Sequence, residues 1–162
     1  MDRTSSPAIF IQRLNVDLEY VEAYVCVMDR AFARTSAAPR MVERARELLP
    51  GLARHTCENG SAHGAMAEFA DTETAHFLEH VACELMALAG SPRSLRAETS
   101  WDFATDGPGV FRVRIAYDDD LVCLGALQAG VDVVEWLLGR SDEKPDIDRI
   151  VASLVAVRRR AE

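Results

Sequence analysis

The stretch DTETAHFLEHVACELMALAG, residues 71–90, decides how the rest of the chain is read. Asp71 suits a helix N-cap, Glu73 suits the positive first turn, and Gly90 followed by Pro92 ends the pattern. On a helical wheel Phe77, Leu78, Val81, Ala82, Leu85, Leu88 and Ala89 share one arc, while His76, Glu79, His80, Cys83 and Glu84 share the opposite one. A helix with one apolar arc must bury it against another layer.

That layer is legible on both sides of the helix. AIFIQRLNVDLEY (8–20) is rich in β-branched and aromatic residues and predicts the first strand. VEAYVCVMDRAFAR (21–34) has mixed periodicity and reads as helix. Pro39 suits a first helical turn, and RMVERARELL (40–49) makes a short helix stopped by Pro50-Gly51. Residues 54–70 have loop composition around His55, Cys57 and His63. AETSWDF and GVFRVRIAY predict two strands joined by ATDGPG as a hairpin. Asp118–Asp120 open a helix with Leu124, Leu127, Val131, Val134 and Leu138 as its core stripe. Ile147, Ile150, Val151 and Leu154 mark a last helix over about 146–158, whose terminal arginines suit its negative end. The expected fold is α+β: one domain over residues 1–162, core about 9–140, with helices on one face of an antiparallel sheet.

The net charge of −8 argues against a nucleic-acid binder, which needs a basic stripe to neutralise phosphates. The most apolar window, LVCLGALQAGVDVVEWLL, contains Asp132 and Glu135 and reads as a core helix, so no membrane partner is expected. Four scattered cysteines without a C-x-x-C pair, and no targeting pattern, predict a cytoplasmic protein with reduced thiols.

The polar arc can do chemistry. His76 and His80, four residues apart, stack one turn from each other and can share one Zn²⁺. Glu79 lies to one side, where a carboxylate can accept a proton from water. The spacing H-x-x-E-H is the inverted form of the zinc-protease motif. The competing reading is a solvated helix face on which Glu and His alternate. All four histidines fall between residues 55 and 80, which favours metal. For the third ligand His55, Cys57, Asp119, Asp120 and Glu135 all stay open. His63, in a glycine-containing loop, reads as exposed. Glu84 is about 12 Å of helical rise from His76, too far to share the ion, and reads as a partner for His80 or a surface residue.

With these residues in place, the chain resembles the N-terminal domain of cyanophycin synthetase. The likeness is carried in order by LPGLARHTC (49–57), MAEF, HFLEHVACELMALAG (76–90), Glu98-Thr99 and GVFRVRIAY (109–117), over roughly residues 9–140. It implies a domain that handles cyanophycin, a polyaspartate bearing arginines, and that in some members acts as a small zinc peptidase. By resemblance His76, His80 and His55 are metal ligands and Glu79 is the catalytic base. Ala75, Cys83 and Met86 depart from the family's usual glycine, leucine and glutamine, and no ATP-grasp or Mur-ligase-like region is present. The expectation is a zinc-dependent peptide or isopeptide hydrolase, a metallopeptidase acting on cyanophycin-like polymer or arginine-bearing acidic peptides. The alternative is a non-catalytic binding or assembly module that recruits a polymer, a partner protein or a second copy of itself.

Overall fold

A computed structural model describes residues 6–57 and 65–161. Four strands, β1 (Ile9–Val16), β2 (Tyr20–Val27), β3 (Ala97–Ser100) and β4 (Val110–Ala116), form one antiparallel sheet in the order β1-β2-β4-β3. The helices are α1 (Met41–Leu48), α2 (Ala65–Glu68), α3 (Thr74–Leu88), α4 (Phe103–Asp106), α5 (Asp120–Leu137) and α6 (Ile147–Ala161). Helices α3 and α5 pack on the sheet's inner face, as an α+β fold requires.

The register explains the core. Val21, Ala23 and Val25 of β2 stand opposite Ile115, Val113 and Phe111 of β4 and point inward with them. Thr99 and Ala97 of β3 extend the same inward row. Phe77, Leu78, Val81 and Leu85 of α3 and Val122, Leu127, Val134 and Leu137 of α5 fill the space above. Burying a side chain of this size fully contributes about 1.5–3 kcal/mol, so this layer dominates stability. Gln12 is an extra residue in β1, where the register slips between Ile11 and Arg13.

Segment 21–34, expected to be helical, is instead mostly strand β2 followed by a 3-10 turn over Arg30–Phe32. Its alternation is masked because Tyr24, on the outer face, is also buried, under the Arg13 guanidinium 3.8 Å from its ring centroid. The hairpin between β3 and β4 holds, but its connection contains α4, capped by Asp102 accepting from Thr105 N.

Helix α3 begins at Thr74 rather than after Asp71. Asp71 is occupied elsewhere: it accepts from Arg34 Nε at 2.8 Å and Ser36 Oγ at 2.8 Å. Thr74 N donates to Ala33 O and its hydroxyl to Phe32 O, so a neighbouring segment satisfies the helix start. Gly90, at φ 101°, ends the helix as expected. Leu88 of the apolar arc is exposed, whereas Glu79, His80 and Glu84 of the polar arc are buried. That arc is not a solvated face.

The later helices follow their pattern. Asp119 caps α5 by accepting from Val122 N at 3.0 Å. α6 seats Leu154 in the core and runs slightly longer than the pattern predicts. No helix among the described residues is long and apolar enough to cross a membrane.

Candidate metal centre

The turn Pro50–Arg54 hands the chain to His55 and Cys57, which lie over the polar arc of α3. Cys57 Sγ is 3.2 Å from His80 Nε2 and 4.0 Å from His76 Nε2, and the two Nε2 atoms are 3.1 Å apart. These three ligand atoms form a group able to hold a metal ion.

The hydrogen bonds behind the rings explain why both Nε2 atoms face one point. Thr72 Oγ1 donates its single proton to Glu73 Oε2, so it accepts from His76 Nδ1 at 2.9 Å. On His80 the support is a relay. Glu84 accepts from Arg93 through both carboxylate oxygens, at 2.7 and 3.1 Å, and its Oε2 lies 2.7 Å from His55 Nε2. If His55 donates from Nε2 to Glu84, its Nδ1 can accept from His80 Nδ1 at 3.0 Å. Both Nε2 atoms then carry bare lone pairs aimed at each other. Two acceptors cannot satisfy one another, and a cation between them can.

Burial holds His80 down at about 3, with the neighbouring His76 and His55 adding to the effect. Burial also lowers His76, against the pull of Glu68 and Glu73. For Glu84 burial opposes ionisation, but the bonds from His55 and Arg93 outweigh it and leave the carboxyl at about 2. Burial pushes the Cys57 thiol up to about 12, helped by a hydrogen bond to Glu68. A metal cation would release that proton, because thiolate is the ligand form.

Glu79 stands beside the group without joining it. Its Oε1 is 4.0 Å from His80 Nε2, and its Oε2 accepts from Thr99 Oγ1 at 2.6 Å. Burial raises its carboxyl to about 7, although the Thr99 bond works the other way. The group lies in a cleft of about 600 Å³, closed on its far side by residues 92–99 and Trp101.

His55, the third ligand that the resemblance implies, is not in the converging group; it stands behind His80 as a spacer to Glu84. The third atom of the converging group is Cys57 Sγ. Glu84 is buried rather than a surface residue, and its hydrogen bonds go to His55 and Arg93 rather than to His80. Asp119 and Asp120 lie in the first turn of α5, and Glu135 accepts from Ile9 N at 2.8 Å, so none of the three lines this cleft. His63 lies outside the described residues. Glu68, Thr72 and Thr99 carry no spacing signal; MAEF and Glu98-Thr99 enter the resemblance, but where they stand relative to the helix shows only when the chain folds back.

Residues 13–139 match the family described as the cyanophycin synthase-like N-terminal domain. The chain belongs to this family. No curated protein matches it. The cyanophycin synthase-like domain thus covers both halves of the site, the turn carrying Cys57 and the helix carrying His76 and His80.

Proposed function

We propose that this domain is a zinc-dependent amide hydrolase whose metal is held by Cys57, His76 and His80 and whose acid–base group is Glu79. The observation that carries the reading is the convergence of three ligand atoms beside a carboxyl that burial has raised to about 7. Zinc held by three protein ligands supplies a Lewis acid and brings the pKa of water at its open position towards about 7. Glu79 is suited to take a proton from attacking water and return it to the leaving amine, since its pKa lies near neutrality. Thr99 fixes one carboxylate oxygen and leaves Oε1 turned to the reacting side. The relay from Arg93 through Glu84 and His55 keeps His80 in the tautomer that ligation needs.

The cleft is lined by both signs of charge, Arg54 and Arg96 as well as Glu68, Glu73 and Glu98. That suits a substrate carrying both carboxylates and guanidinium groups, such as cyanophycin-like polymer or arginine-bearing acidic peptides. Metal analysis after zinc loading tests the first half of the proposal: one zinc per chain is expected, lost in His80→Ala. Cobalt substitution should give a thiolate charge-transfer band that Cys57→Ser lacks. Glu79→Gln should keep the metal and lose hydrolysis of such peptides. Failure of the wild type to hold zinc would sink the proposal.

A second reading has its own observation. Glu68 lines the same cleft as the three ligands, and if it swung in to make a closed four-ligand site of Cys57, His76, His80 and Glu68, the ion would be structural and the domain a binding or assembly module. A Glu68→Gln protein that loses metal, beside a wild type inert towards peptides, would favour that reading.

A further inference from the structure

Strand β3 is an edge strand, paired with β4 on one side only. Its register pairs Ala97 with Ile115, Glu98 with Arg114, Thr99 with Val113 and Ser100 with Arg112. Ala116 N donates to Arg96 O at 2.8 Å, which makes Arg96–Ala116 a hydrogen-bonded pair. In an antiparallel ladder such pairs alternate with non-hydrogen-bonded ones. Arg96, Glu98 and Ser100 therefore turn their main-chain groups to β4, while Ala97 and Thr99 turn theirs outward. Two N–H and two C=O groups face away from the sheet, without a loop or side-chain partner among the described residues.

This row is not on a remote edge. Leu95, Ala97, Glu98, Thr99 and Trp101 all line the cleft that contains Cys57, His76 and His80. The same Thr99 whose main chain faces out holds Glu79 by its hydroxyl. Trp101, 51% exposed, flanks the end of the strand. Main-chain groups spaced two residues apart recognise one thing well, the main chain of another extended segment.

We propose that the free edge of β3 is the docking strand of this cleft, taking an extended α-peptide as a fifth, antiparallel strand. Ala97 and Thr99 would each exchange a pair of hydrogen bonds with alternate residues of the ligand, which fixes its register relative to Glu79. The exposed Arg96 beside Ala97, together with Arg54 in the same cleft, favours acidic side chains on the bound segment. The ligand class is thus a linear, acidic α-peptide at least three residues long, read first through its backbone. This deepens the hydrolase reading and rests on the cleft being a substrate site, but its test does not need turnover.

The probe is a capped linear hexapeptide of alternating alanine and aspartate, added to zinc-loaded Glu79→Gln protein. Amide hydrogen exchange followed by NMR should show protection at Ala97 and Thr99 rising at least about tenfold, whereas Glu98, already bonded within the ladder, changes little. Two further copies of the peptide carry N-methyl groups on its odd or on its even amides. One copy should bind about tenfold more weakly and the other like the parent, because only alternate amides face the edge. Ala97→Pro removes an outward donor without breaking a ladder bond, and should weaken binding by a similar factor while zinc content holds. No protection at millimolar peptide, or equal binding of the two methylated copies, overturns the docking strand. Cleavage of the hexapeptide that is indifferent to Ala97→Pro also overturns it and leaves the hydrolase standing. Protection by the hexapeptide with no cleavage of any acidic peptide by wild type keeps the docking strand and overturns the hydrolase.

Discussion

Gly51→Ala offers a test of the relay from a residue that touches neither metal ligand nor substrate. The backbone there is ordinary, so the effect is one of space. A Cβ would stand 1.8 Å from Glu84 Oε1, 2.6 Å from its Cδ and 3.1 Å from Oε2. Glu84 is buried, and a carboxylate pushed off by an ångström or more loses its 2.7 Å bonds to both His55 and Arg93. His55 then has no anchor, and His80 no fixed partner on Nδ1. Loss of such supporting bonds lowers metal affinity by about 10–100-fold, equivalent to about 1.4–2.7 kcal/mol. The overpacking itself destabilises the metal-free fold by about 1–3 kcal/mol. Zinc competition against a chromogenic chelator reads the first number, and urea unfolding of chelator-treated protein reads the second. A double-mutant cycle isolates the cause: in a Glu84→Ala background the added methyl meets no carboxylate, so Gly51→Ala should cost little more. Wild-type zinc affinity in Gly51→Ala, or full additivity with Glu84→Ala, would refute the relay.

Glu79→Gln should stabilise the metal-free protein, and more so as pH rises. A carboxyl held at about 7 binds protons that the unfolded chain has shed by then, so stability falls between pH about 4.5 and about 7. The penalty, up to about 3 kcal/mol above that window, should vanish in the amide variant; a pH-independent difference in urea unfolding would contradict the buried carboxyl. Thr99→Val removes the bond that draws Glu79 down, so the acidic limb of the pH–rate profile for peptide hydrolysis should move up; an unmoved limb would mean that Glu79 does not govern it. Asp119→Ala deletes the cap on Val122 N and should cost about 0.5–2 kcal/mol in thermal unfolding, with zinc affinity unchanged. A change in zinc binding would place α5 at the site after all.

Where sequence spacing and local chemistry coincide, the chain was readable. Gly90 and Pro92 end α3, Leu127 and Val134 lie in the buried stripe of α5, and His76, Glu79 and His80 lie together because helical geometry requires it. Strand β2 was not readable because the outward Tyr24 is shielded by an arginine from a neighbouring strand, a tertiary event that erases alternation. Asp71 looked like a cap and is spent on Arg34, thirty-seven positions away. Which of His55 and Cys57 lies nearer the His76–His80 pair was not legible, since two residues of separation in the same short turn decide which side chain meets His80 Nε2 and which meets Nδ1. The burial of Glu84 depends on Gly51, whose missing side chain carries no signal of its own.

The two sides of α3 have a consequence for how the site can be switched off. Its apolar arc lies in the main core with the sheet and α5, while the converging residues sit on the other side, Cys57 at the margin of that core and His80 edge-on to Phe69. Small zinc domains that lack such a core collapse when the ion is withdrawn. Here most of the core lies away from the converging group, so the fold is expected to stand without the proposed ion, and the proposed activity could be silenced without the protein being destroyed. If the ion is zinc, as proposed, a chelator would leave an intact shell that can be recharged within the lifetime of the same molecule.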